Sequence, residues 1–143
     1  MPVNKTVEKI GASLKSKLAV VPGWFPGLSH VEMVEQVAAY GFPAFESLGA
    51  REWNDRVEVG AACRDLGIAV GAVGSSGTIP GDGPVNAAFH ERFEADIRAT
   101  IPKAKELGTR TLLALTGAER TDLSREQQLE NVVAAGRRVA PIL

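Results

Sequence analysis

The sequence predicts a parallel α/β fold built from successive βα units. Three observations carry that expectation. Short apolar runs recur four times along the chain, a helix-patterned segment follows each run, and a glycine separates three of the helices from the next run. Runs this short and this continuously apolar suit strands covered on both faces, as in a parallel sheet.

The expected strands are Leu18–Val21, Ala44–Leu48, Ile68–Val73 and Thr111–Leu115. Residues 1–17 are polar, with loose helical spacing in Val7, Ile10 and Leu14, and read as a leader or an extra helix. The first helix opens at Ser29-His-Val-Glu32, a capping box in which serine and glutamate satisfy each other's backbone amides. Val31, Val34, Val37 and Ala38 then share one face. The second helix is expected from about Asn54 to Leu66, burying Val57, Ala61 and Leu66, with Trp53 packing it onto the sheet. The third carries Phe89, Phe93, Ile97, Ile101 and Ala104, and Pro102 predicts a kink or break by removing an interior hydrogen bond. The fourth starts at a second capping box, Ser124-Arg-Glu-Gln127, runs past Gly136, and is expected to bury Leu129, Val132 and Val133. Gly41, Gly67 and Gly108 stand where a left-handed residue ends a helix. Gly74–Pro84 reads as a long loop after the third strand.

Composition narrows the partners. Of 143 residues, 45% are hydrophobic and 23% charged, with 16 basic residues against 17 acidic ones. A net charge of −1 gives no electrostatic reason to expect nucleic acid or an anionic membrane as partner. No apolar stretch approaches the roughly 20 residues of a membrane span, and Met1–Ile10 lacks the apolar segment of a signal peptide. The single cysteine, Cys63, excludes an internal disulfide and a thiolate zinc cluster. A cytoplasmic protein is the expectation.

Spacing alone does not choose between a doubly wound sheet and part of a barrel, since both use right-handed βαβ crossovers. Three segments in order bear on the choice. They are Gly41-Phe-Pro-Ala-Phe-Glu46, Ala61-Ala-Cys-Arg-Asp-Leu-Gly-Ile68, and Glu91–Arg98 leading through Ala104-Lys-Glu-Leu-Gly108 to Thr111-Leu-Leu-Ala-Leu-Thr-Gly117. Together with Asn131–Ile142 they resemble the first half of the hydroxypyruvate isomerase-like family, in the sugar isomerase/epimerase superfamily, over roughly residues 18–143. The resemblance implies the first four βα units of a TIM barrel, a half barrel whose site lies at the C-terminal ends of the strands. It implies isomerisation or epimerisation of a small hydroxy-carbonyl compound or sugar, with two glutamates moving a proton beside a carbonyl. A divalent metal, Mg²⁺ or Mn²⁺, is often involved in the full-length proteins. The family's glutamates and most metal ligands come from strands five to eight, so this chain alone is expected to bind no metal and to be inactive.

Glu46 is the best candidate, a carboxylate at the C-terminal end of an apolar strand, placed to move a proton or orient a hydroxyl. The alternative is an ion pair, for which Arg51 is the nearest partner in sequence. By resemblance, Trp24 and Phe25 wall a substrate pocket, against ordinary packing over the strand end. Gly71-Ala-Val-Gly-Ser-Ser-Gly77 lacks the lysine of a phosphate loop; it reads as a substrate-facing loop in which Ser75 donates to a hydroxyl. Thr116 and Gly117 line the pocket or form a plain turn. His30 is expected to be solvated, and His90-Glu-Arg-Phe-Glu94 lacks the second histidine of a zinc helix. Cys63 reads as a small buried residue.

Two open sheet edges and an uncovered inner face would make four strands prone to associate. The chain therefore reads as incomplete, pairing either with the missing half barrel or with itself as a homo-oligomer. The competing functions are a non-catalytic half-barrel subunit that works only by pairing, and a related lyase or dehydratase.

Overall fold

A computed structural model describes residues 18–76 and 82–143. The leader expected over residues 1–17 lies outside the described residues, as do Gly77 and residues 78–81 of the loop after the third strand.

Among the described residues, four strands alternate with four helices. The strands are β1 (Ala19–Val20), β2 (Ala44–Ser47), β3 (Ala69–Ser76) and β4 (Leu112–Ala114). The helices are α1 (His30–Ala39), α2 (Arg56–Leu66), α3 (His90–Leu107) and α4 (Arg125–Val139), with short 3₁₀ turns between. The sheet order is β1-β2-β3-β4, sequential, as successive βα units of a partial α/β barrel require. Parallel register pairs Ala19 with Ala44, Val20 with Phe45, and Phe45 with Val70. An irregularity between Phe45 and Ser47 then brings Ser47 opposite Val73.

Local chemistry accounts for the boundaries. Both capping boxes form: Ser29 accepts from the Glu32 amide, and Ser124 from the Gln127 amide, with each side chain answered in return. Gly41, Gly67 and Gly108 all adopt positive φ between a helix and the next strand.

The chain packs as two units. The first joins the described residues up to Val73 with Lys103–Thr111. Its core holds Val20 and Phe45 of the strands, Val34 and Val37 of α1, Val59 and Cys63 of α2, and Leu107 at the end of α3. Phe45, Val34, Val37 and Val59 are fully buried, worth about 1.5–3 kcal/mol each against leaving them in water. The second unit joins Gly74–Pro102 with Leu112–Leu143. There Phe93 and Ile97 of α3 meet Ala135 and Val139 of α4, with Phe89, Ile101, Leu112 and Ile142 packed around them.

Four expectations need correction. In α2 the buried positions are Val59, Gly60 and Cys63, while Val57 and Leu66 are exposed. The stripe that turns inward is the one that meets α1 and the end of α3, where Val59 and Cys63 pack with Val34, Val37 and Leu107. In α4, Ala135 and Val139 are buried, but Leu129 is 63% exposed and Val133 is also open to water. Of the kink or break expected at Pro102, the break does not occur, since Pro102 sits inside α3 without ending it. It lies on an exposed face, where water can satisfy the carbonyl that its ring leaves without a donor. Finally, β3 runs on to Ser76, so Gly74, Ser75 and Ser76 are strand and not loop.

Candidate functional site

In the first unit the parallel strands β1 and β2 open toward the same side. Side chains alternate along β2, and Phe45 and Ser47 are both buried. Phe45 packs with the helix core, so Glu46 between them projects from the opposite face of the sheet. Its carboxylate lies beside Gly71 of the neighbouring strand, where a Cβ would stand in ordinary contact, 3.7 Å from Glu46 Oε2. Glu46 is half-buried and, among the described residues, has no hydrogen bond or ion pair. The anticipated Arg51 partner is directed elsewhere, its Nε lying 2.8 Å from Glu52 Oε1. Glu46 thus presents a carboxylate with accepting capacity to spare.

Trp24 and Phe25 follow β1 on a short 3₁₀ turn, Pro22–Trp24. Phe25 packs against the core, its ring 6.2 Å from that of Tyr40. Trp24 is 67% exposed. Both line a cavity of about 550 Å³ along β1, together with Leu18, Ala19, Val20, Tyr40 and Phe42. Its walls are almost wholly apolar. Glu46 does not line it, so the structure joins the two aromatics to each other and not to the carboxylate.

A third grouping in this unit escaped the sequence analysis. His30 is half-exposed rather than freely solvated, and its Nδ1 lies 2.8 Å from Asp55 Oδ1 and 3.1 Å from Oδ2. Trp53 stacks on the imidazole with ring centroids 3.8 Å apart and 13° between planes, and on Phe45 at 6.1 Å. Asp55 and His30 are 25 residues apart, and no local motif links them. Only the placement of two helix starts side by side brings them together. Trp53 does pack between a helix and the sheet, as expected, but the helix is α1.

In the second unit Ser75 is not on a loop. It is fully buried within β3, and its hydroxyl donates to the Leu113 carbonyl at 3.1 Å. The neighbouring Ser76 hydroxyl is buried without a hydrogen-bond partner among the described residues. Thr116 is exposed after β4, and its carbonyl accepts from the Val85 amide at 3.0 Å. Gly117 turns the chain with φ of 93°. Asp82 lies 3.6 Å from Arg120.

The remaining candidates are structural. His90 Nε2 contacts the Pro84 carbonyl at 3.1 Å. Cys63 is buried, and desolvation pushes its thiol up to about 11, partly offset by Arg64. Among the described residues, no three His, Cys, Asp or Glu side chains are grouped so as to hold one metal ion. The described donor set therefore does not fit the divalent metal implied by resemblance. No described helix is long and apolar enough to cross a membrane. No protein-family model matches the chain, and no curated protein matches it.

Proposed function

We propose that this chain supplies the first four βα units of an isomerase or epimerase acting on a small hydroxy-carbonyl compound or sugar, in the manner of the hydroxypyruvate isomerase-like family. The observation that carries the reading is Glu46. It is a carboxylate unpaired among the described residues, on the face of a sequentially ordered parallel sheet opposite the one that Phe45 packs against α1 and α2, at the C-terminal end of its strand. The motif resemblance through residues 41–46, 61–68 and 91–117 supports it independently.

An isomerase removes the proton from the carbon that bears the hydroxyl, leaving an enediolate. It moves the hydroxyl proton to the former carbonyl oxygen and returns a proton to the former carbonyl carbon. An epimerase returns the proton to the original carbon from the opposite face. By resemblance, the groups that move that proton, and any Mg²⁺ or Mn²⁺ ligands, belong to later strands of a complete barrel. Glu46 accepts a hydrogen bond from a substrate hydroxyl and so fixes which carbon faces the base. A charge-assisted bond of this kind contributes roughly 1.5–3 kcal/mol. By resemblance, Trp24 and Phe25 wall the substrate's apolar side along β1, in a cavity that Glu46 does not line. The buried Ser75 hydroxyl already serves the Leu113 carbonyl, so its part is to hold β3 and β4 together.

The test is the reading frame past Leu143. Continuation into a further strand that ends in a glutamate supports the enzyme. An immediate stop codon overturns it in favour of the second reading, a non-catalytic half barrel that acts by pairing. One observation favours that alternative: Leu18 and Val21, flanking the edge strand β1, are each almost half exposed. A dehydratase or lyase of the same superfamily would use the same first half, and product analysis separates it from the isomerase.

A further inference from the structure

The His30–Asp55–Trp53 group takes no part in the isomerisation, and its behaviour would be the same in a chain without that activity. His30 is the first residue of α1, and Asp55 immediately precedes α2. Their bond ties together the starts of two helices and anchors residues 48–55, the connection after β2. Asp55 as a carboxylate can only accept, so the neutral imidazole carries its proton on Nδ1. Nε2 is then the atom at which a further proton arrives or leaves, and among the described residues nothing bonds it. The Trp53 indole covers one face of the ring.

We propose that His30 is a proton-responsive latch that fastens the 48–55 connection to the start of α1. A proton on Nε2 converts the Nδ1–Asp55 hydrogen bond into an ion pair and the stacked imidazole–indole contact into a cation–π contact. Loss of that proton leaves a neutral hydrogen bond and an ordinary ring stack.

The other charged groups on the packed elements pair with one another or turn outward. Glu32 receives the Ser29 amide and hydroxyl. Arg51 and Lys103 both pair with Glu52. Arg56 pairs with Glu106 and donates to the carbonyls of Arg51 and Trp53. Glu35 and Glu58 are solvent-exposed. Asp55 is thus the carboxylate that His30 meets.

The chain has two tryptophans, so Trp24→Phe leaves Trp53 as the only indole. Protonated imidazole quenches a stacked indole. Trp24→Phe protein should brighten with rising pH as the ring gives up its proton, along a one-proton curve. Adding His30→Asn should abolish the change, since its amide can still reach Asp55 but cannot titrate. The Trp53 and Glu52 amides, bonded to Ala50 and Gly49 carbonyls, should lose exchange protection as the ring loses its proton, after correction for intrinsic rates. Flat emission overturns the latch, as does a transition that survives His30→Asn, or amide protection indifferent to the ring. If the double variant does not fold, Trp24→Phe alone decides. The His30 ring and Trp53 indole resonances must then titrate together.

Discussion

Gly83 lies against the peptide that joins Thr116 to Gly117, so close that a Cβ on it would stand about 2.5 Å from backbone atoms of both residues. No flexible side chain is there to give way. Next to this contact the Val85 amide donates to the Thr116 carbonyl, and the Asn131 side chain donates to the Val85 carbonyl at 2.9 Å. Gly83→Ala should therefore displace the turn after β4 and cost about 1–3 kcal/mol. Urea unfolding of the two proteins measures it, and an unchanged midpoint would contradict the contact.

Arg56 joins three acceptors on different segments: Glu106 at 2.7 Å, the Arg51 carbonyl at 3.2 Å and the Trp53 carbonyl. A guanidinium reaches all three because its donors are spread in a plane, whereas an ammonium is a point donor. Arg56→Lys should destabilise the chain by about 1–2 kcal/mol, despite keeping the charge. Glu106→Gln should cost less, because Glu106 is over a third exposed and solvent already screens its charge. Thermal melts of both variants check the order.

The fold was largely legible in the sequence because its signals are local. A serine three residues before a glutamate or glutamine, and a glycine after a helical pattern, act within one turn and need no distant partner. Helix facing was less legible. Val57 and Leu129 are spaced like core residues, but the stripe that turns inward is set by what the helix packs against. The candidate site divides the same way. Glu46 was visible as a charge ending an apolar run, whereas the His30–Asp55 pair depends on two helix starts lying side by side. Ser75 was misplaced because its glycine-rich surroundings read as loop, yet in β3 small residues are what a fully buried strand accommodates.

Leu129 and Val139 make the facing of α4 measurable. Leu129→Ser should lie within about 0.5 kcal/mol of the parent, as an exposed substitution does. Val139→Ala removes buried methyl groups beside Ala135 and should cost more, about 1–2.5 kcal/mol. Equal losses would mean that Leu129 is covered.

Cys63 should resist alkylation in the folded chain. Desolvation holds its thiol at about 11, so little thiolate exists at pH 8, and the thiolate is the reactive form. The reaction with iodoacetamide should be slow in buffer and fast in denaturant. The folded rate should also climb with pH up to about 11. A fast folded-state reaction at pH 8 would place the thiol in an open environment.

Solvent-deuterium incorporation tests the central claim most directly. Hydroxypyruvate in heavy water is incubated with protein made from residues 1–143 and whatever sequence continues their frame, with and without Mn²⁺, and proton loss beside the carbonyl is followed by NMR. The account predicts exchange above the buffer rate for the continuous protein and none for residues 1–143 alone. Glu46→Gln should lower kcat/KM by about tenfold or more, the loss of one charge-assisted hydrogen bond. Exchange that ignores Glu46, or its absence from the continuous protein with every small hydroxy-carbonyl compound tried, would contradict it.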